Sequence, residues 1–380
     1  MIEPAPLGVY VHWPYCARIC PYCDFNVVRA RGGEEPAALA GAIVADLEAQ
    51  AALTGPRTLV SVFFGGGTPS LMDPAWAAEI VQTARRLWTP AADLEVTLEA
   101  NPTDAEAQRF GAFAEAGVNR LSLGLQSLDD AALAFLGRNH DAATGHRAAE
   151  AARAAFPRLS IDLIYARPGQ TPAAWAAELA AAIALGPEHV SPYQLTIETG
   201  TAFERAVRRG RFAPPDPDAA AALFDVTQEV LASAGFDAYE VSNHALGQAA
   251  RSRHNLLYWR GGDYVGAGPG AHGRITVGGL RRATFAEPGP ADYIARVREA
   301  GAGFRTSTDL TAREAAEERL LAGLRIAEGV PRAELAALDI PPSRIAELVE
   351  LGLLAADPCR LRATPAGRLV LDSLIAELAA

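Results

Sequence analysis

Tyr10-Val11-His12-Trp13-Pro14-Tyr15-Cys16-Ala17-Arg18-Ile19-Cys20-Pro21-Tyr22-Cys23-Asp24-Phe25 sets three cysteines in a C-x3-C-x2-C spacing. Thiolates hold the irons of a cubane cluster, so three of them bind three irons of a 4Fe-4S centre and leave the fourth open to another ligand. A structural zinc site wants a closed tetrahedron, usually of two separated Cys or His pairs. No second pair follows here. His12, on a stretch whose alternation reads as a strand, stays open as a fourth zinc ligand. A disulfide framework is disfavoured, because the chain has 4 cysteines among 380 residues and the last, Cys359, is remote.

Composition narrows the function classes. Hydrophobic residues at 50% and charged residues at 21% describe an ordinary globular chain. The formal net charge is -11, and a nucleic-acid surface wants the opposite sign. The arginine cluster Arg205, Arg208, Arg209 and Arg211 reads as a solvated helix end, so no nucleic-acid partner is expected. The cysteine loop comes early, with no cationic-then-apolar segment before it, and no signal peptide is expected. No uncharged apolar run reaches the ~18 residues of a membrane span. Free thiols beside an oxygen-sensitive centre suit a reducing cytoplasm.

From residue 7 to about 200, β-rich runs alternate with alanine-rich helical segments, the pattern of βα units around a parallel sheet. Strands are expected at 7–13, 59–64, 94–99, 118–125, 158–164 and 189–197. Six units are too few to close an eight-stranded barrel, so the expected fold class is α/β, a partial (β/α)6 barrel. Asp73-Pro74 reads as a helix cap and Thr103 with Glu106 as a capping box. The chain is divided into a barrel core at 1–200, an α+β extension at 201–305 and a small C-terminal helical, winged-helix-like module at 306–380. In such barrels the site lies at the C-terminal ends of the strands. The cysteine loop, Gly65-Gly66-Gly67-Thr68-Pro69, Glu99, Gln126, Asp162 and Gln194 all fall there.

The triple glycine after the second strand lets backbone approach a ligand without a Cβ clash. It is not a phosphate loop, because no Gly-Lys-Ser/Thr follows. Gly266-Ala267-Gly268-Pro269-Gly270-Ala271 matches a relaxed dinucleotide pattern, but the β-like Ile275-Thr276-Val277 denies the pyrophosphate its helix N-terminus. Two readings remain for it: a loop that lets His272 approach a site, or an ordinary tight turn.

The cysteine spacing resembles the signature of the radical S-adenosylmethionine (SAM) superfamily. In detail, Tyr10 to Cys16, Cys23-Asp24-Phe25-Asn26, Phe64 to Ser70, Gly124-Leu125-Gln126-Ser127, Leu136-Gly137-Arg138-Asn139-His140 and Ile161-Asp162-Leu163-Ile164-Tyr165 resemble oxygen-independent coproporphyrinogen III oxidase and its paralogue, the HemW-type heme chaperone. The resemblance covers nearly the whole chain. It implies a radical SAM barrel whose 4Fe-4S cluster sits on Cys16, Cys20 and Cys23. It also implies SAM contacts from Tyr10, Tyr22, Gly66, Gly67, Thr68, Glu99, Gln126, Arg138 and Asp162.

Two departures separate the siblings. The oxidase carries a further cysteine where this chain has Phe25, and a long N-terminal arm that this sequence does not show, so decarboxylation of coproporphyrinogen III is not expected and no catalytic side chain is assigned. His254-Asn255-Leu256-Leu257-Tyr258-Trp259 matches the H-N-x-x-Y-W element of the chaperone type. A histidine is a standard axial ligand of heme iron, and aromatic rings can flank a porphyrin. The expectation is a heme-binding protein that passes heme to acceptors, among them membrane-bound respiratory enzymes, and so meets the membrane peripherally. His254, Tyr258 and Trp259 would shape the heme site, with His272 in reserve. The alternative is a SAM-dependent oxidoreductase acting on a porphyrinogen.

Overall fold

All six expected strands form, in a computed structural model that describes residues 4–30, 33 and 35–379. They are β1 (Pro6–Trp13), β2 (Thr58–Gly66), β3 (Thr89–Ala100), β4 (Arg120–Gln126), β5 (Arg158–Tyr165) and β6 (His189–Gln194). Each lies parallel to the next. Side chains alternate across a strand, and the two faces differ sharply. Val9, Val11, Val62, Phe64, Val96, Leu98, Leu121, Leu123, Ile161 and Leu163 are buried in the main apolar core. The opposite, concave face carries Ser61, Glu95, Thr97, Glu99, Arg120, Ser122, Ser160, Asp162, His189 and Ser191, all polar and all buried or facing a cavity.

The sheet continues beyond the six strands. β7 (Asp237–Ala238), β8 (His244–Ala245), β9 (Asp263–Ala267), β10 (His272–Val277), β11 (Leu280–Ala286) and β12 (Phe304–Asp309) complete the order β12-β11-β10-β9-β1-β2-β3-β4-β5-β6-β8-β7. β9 runs parallel to β1, and β10 to β12 return antiparallel. Residues 201–305 therefore extend the barrel sheet at both edges, and one apolar core runs from Leu7 to Val297. A second core, Ala316 to Leu378, belongs to the C-terminal region. There helices Ala312–Arg325, Pro342–Glu350 and Leu371–Ala379 surround a two-stranded antiparallel pair, Val330–Pro331 with Arg360–Leu361.

Local signals act as expected. Asp73 accepts the N–H of Ala75 ahead of helix Pro74–Leu87, and Thr103 Oγ1 accepts the N–H of Glu106. The glycine run near 268 is a turn into β10. A Cβ on Gly268 would stand 2.2 Å from the His12 carbonyl oxygen and one on Gly270 2.4 Å from the Asn26 amide, so close packing against β1 and the cysteine loop explains the glycines. Helix Glu35–Thr54 is long and apolar enough to cross a membrane by length and composition, although Asp46 and Glu48 interrupt it, so it is not an uncharged run. Its buried Asp46 accepts from Tyr293 Oη at 2.7 Å and from the Gly303 N–H at 3.1 Å, while Gln50 donates to the Gly266 carbonyl at 2.9 Å. These bonds tie it into the core.

Helix Arg253–Trp259 decides the depth of the concave side. It packs on β1, β2 and β9, and Glu95 of β3 accepts the N–H groups of Arg253 and His254 at 3.1 Å each. A carboxylate at a helix N-terminus satisfies donors that lack intrahelical partners. The helix thus plugs the concave face below the strand ends.

Candidate functional site in the barrel mouth

Above that plug lies a cavity of about 480 Å³, bounded by the cysteine loop and the inner faces of β2 to β6. Two backbone bonds lace the glycine turn to the cysteine loop: Gly67 N–H to the Trp13 carbonyl at 2.7 Å and Thr68 N–H to that of Tyr15 at 2.9 Å. Thr68 Oγ1 reaches Cys16 Sγ at 3.5 Å, and Arg138 reaches Cys20 Sγ at 3.4 Å. Burial pushes the Cys16 thiol up, and burial first of all pushes that of Cys23 up to about 11. Among the described residues no three His, Cys, Asp or Glu side chains converge on one ion; the three thiols spread along one wall. Both nitrogens of His12 are engaged, Nδ1 with Tyr10 Oη at 3.0 Å and Nε2 with the Asn26 carbonyl at 2.8 Å.

Gly66 has φ +103, and a Cβ there would lie 2.6 Å from the His12 ring. The bare backbone is thus required by His12 and by the left-handed conformation. Glu99 accepts the Gly66 N–H, and burial followed by the nearby Asp162 charge raises its pKa to about 8. Burial also raises Asp162, against the hydrogen bond from Ser122 at 2.9 Å. Arg138 donates to Asn101 Oδ1 at 2.5 Å and to the Gly124 carbonyl at 3.0 Å. Its Nε and the Gln126 Oε1 are buried without partners among the described residues. Gln126 also adopts φ +66, a strained state for a side-chain residue of the kind found at ligand sites.

Every residue of the expected cluster and SAM sets lines this cavity except Tyr10. The Tyr10 ring lies one layer deeper, stacked on Phe63. Asn101 is an addition: it donates to Thr68 Oγ1 at 3.0 Å while accepting from Arg138. Its position in Asn101-Pro102 directly after β3 was the available signal.

The Radical SAM superfamily matches residues 10–180, and the HemN C-terminal domain matches residues 310–370. The chain is 38% identical to Heme chaperone HemW of Mycobacterium tuberculosis (strain ATCC 25618 / H37Rv), over 98% of this chain and 95% of that protein. It is 34% identical to Heme chaperone HemW of Escherichia coli (strain K12), over 99% and 98%. It belongs to the HemW family of radical SAM proteins. The mitochondrial Radical S-adenosyl methionine domain-containing protein 1 of Bos taurus is 42% identical, over 99% of this chain and 89% of its own length. The structure of coproporphyrinogen III oxidase (HemN) from Escherichia coli superposes with a TM-score of 0.82, covering 99% of this chain and 91% of that one at 21% identity, and so shares the fold.

The cavity walls of this HemW-family chain fit the groups that the superfamily implies. The three cysteines line it, a fixed cation adjoins Cys20, and Gln126 and Arg138, each with a buried polar atom unpartnered among the described residues, line it as well. The H-N-x-x-Y-W element is less open. His254 is 2% exposed, its Nδ1 bonded to Ser61 Oγ at 2.8 Å and its ring stacked on Phe63 at 4.8 Å. Burial first pushes its pKa down to about 3. Tyr258 lies against it, ring centroids 4.4 Å apart. Trp259 turns the other way, under Arg325 of the C-terminal region at 4.9 Å, so the three residues do not share one pocket. Nor does His254 sit apart from the cysteine loop's sheet: it packs on β2 of the same sheet. His272, at the start of β10, is exposed.

Proposed function

We propose that this chain is a heme chaperone that binds heme and passes it to acceptor proteins, carrying a 4Fe-4S cluster on Cys16, Cys20 and Cys23 and SAM across the cavity rim. The observation that carries the reading is the likeness, over nearly the whole chain, to relatives named heme chaperones. When bound, the cluster supplies an electron and an open iron site for the amino and carboxylate groups of SAM. The chain's part is to hold these groups: Arg138 takes a carboxylate, Glu99 and Asp162 accept from hydroxyls or an ammonium, and Gln126 offers its free amide oxygen. Membrane-bound respiratory proteins are the proposed acceptors and a reducing compartment the proposed setting. Residues 1–200, 201–305 and 306–380 serve as the barrel core, its extension and the C-terminal module.

Heme ligation is proposed at His254 or His272. The Nε2 of His254 has no partner among the described residues but is closed in by Phe63 and Tyr258, so a porphyrin reaches it only if the plug helix shifts. His272 is reachable without moving the core. His272→Ala should alter the Soret spectrum with the cluster intact, whereas His254→Ala does so only if the helix opens; unchanged spectra in both variants would rule out this pair.

A second reading, a SAM-dependent oxidoreductase acting on a porphyrinogen, is favoured by the complete set of polar side chains in the cavity. Phe25, 63% exposed beside the cavity, stands where that enzyme has a cysteine and weighs against it. Anaerobic reconstitution should give about four irons per chain, as one cubane requires. Replacing Cys16, Cys20 or Cys23 by alanine should abolish this, and Cys359→Ala should not. Multiple turnovers of coproporphyrinogen III with SAM and a reductant would favour the enzyme.

A further inference from the structure

Arg120 begins β4 and lines the cavity from the concave face. It is 2% exposed, and its charge faces the carboxyl groups of Glu95, Glu99 and Asp162 at Coulombic range, yet its guanidinium makes no hydrogen bond with any described residue, and its Nε is a buried donor without a partner among them. A guanidinium keeps its charge and offers five donors in a planar fork. Those carboxyl groups offset its charge from a distance, but its donors are costly to bury unmet unless a ligand completes them. Its register partner on β3, Thr97, also has a buried hydroxyl without a partner among the described residues.

The nearby acids are already served. Glu95 holds Arg158 at 2.7 Å and two backbone N–H groups, Asp162 is bonded by Ser122, and Glu99 takes the Gly66 N–H. Nor does Arg120 duplicate Arg138. Arg138 is anchored on the Gly124 carbonyl, four residues farther along β4, which is about 13 Å at the usual strand rise. One carboxylate cannot satisfy both.

We propose that Arg120 binds the carboxylate of a second ligand, one that enters the barrel beneath the SAM position. A carboxylate fits better than a phosphate, because Arg120 brings one positive charge to a wall that also holds the Glu95 carboxylate, which disfavours a dianion more than a monoanion. On the heme-handling reading above, on which this part rests, the carboxylate is a tetrapyrrole propionate. A small carboxylic acid is the other source of the same chemistry.

The test uses the anaerobically reconstituted full chain with SAM, as wild type, Arg120→Gln and Arg120→Lys. Heme and its dimethyl ester are titrated calorimetrically, and propionate is tested by thermal shift. Wild type should prefer the free acid by roughly tenfold to a hundredfold, the worth of a charge-assisted hydrogen bond. Arg120→Gln should lose that preference with ester affinity unchanged, and Arg120→Lys should keep part of it. Protection by propionate in wild type but not in Arg120→Gln, without any tetrapyrrole binding, would uphold the carboxylate site and remove heme as its occupant. An ester preference that survives in Arg120→Gln overturns the proposal. Should Arg120→Gln fail to fold, a wild type that neither prefers the free acid nor responds to propionate overturns it too, leaving Arg120 an internal counter-charge.

Discussion

Glu99 contributes to the pH dependence of the ligand-free protein, alongside other buried carboxyl groups that shift the same way and buried histidines that shift the other way. Its pKa rises from 4.5 to about 8 on folding, with burial as the main cause. The native state then binds more protons than the unfolded chain between those two values, so this group makes stability fall as pH rises through that window. Glu99→Gln should flatten the decline, seen by urea melts of apo-protein at pH 5 and pH 8; an equal decline in the variant would assign it to another group. On the proposed placement SAM would bring a cation toward the same carboxyl group, so binding near pH 7 should release protons. At this scale the rim was legible where a polar side chain ends an apolar strand, as with Glu99 and Gln126. Arg120 was not, because a charge at the start of a strand ordinarily reads as solvent-facing; only the concave face of the folded sheet reveals it as buried.

The glycine turn and the plug helix behave as elements. Since a Cβ on Gly66 meets the His12 ring, and His12 holds both Tyr10 and the Asn26 carbonyl, Gly66→Val should disturb the cysteine loop as a whole. Iron content and SAM affinity should fall together; loss of SAM binding with full iron content would show instead that the glycine serves the ligand alone. Strands were legible from alternation, with β3 starting at Thr89 rather than near 94, because its first residues pair with Thr58 and Leu59. The placement of helix Arg253–Trp259 was not. Its anchor is Glu95, some 158 residues away in sequence, and no local periodicity reports so distant a bond.

Over the whole molecule, the apolar core runs through the barrel and its extension, while the C-terminal region keeps a core of its own. The two are joined by the Arg325–Trp259 stacking contact and the Arg260–Glu328 ion pair at 2.6 Å. Alternating βα signals disclosed the barrel, but the sequence alone placed 201–305 beside it, because strand order within one sheet is a long-range property. HemW-family membership and the polar cavity together frame the central claim, that this chain holds heme for delivery rather than consuming a porphyrinogen. The direct measurement is to load the anaerobically reconstituted protein with heme, add an apo heme protein and follow the Soret bands of both. The account predicts stoichiometric heme binding by the chain and transfer to the acceptor without SAM cleavage in step with it. Absence of stoichiometric heme binding, with sustained SAM cleavage on a porphyrinogen, would contradict it.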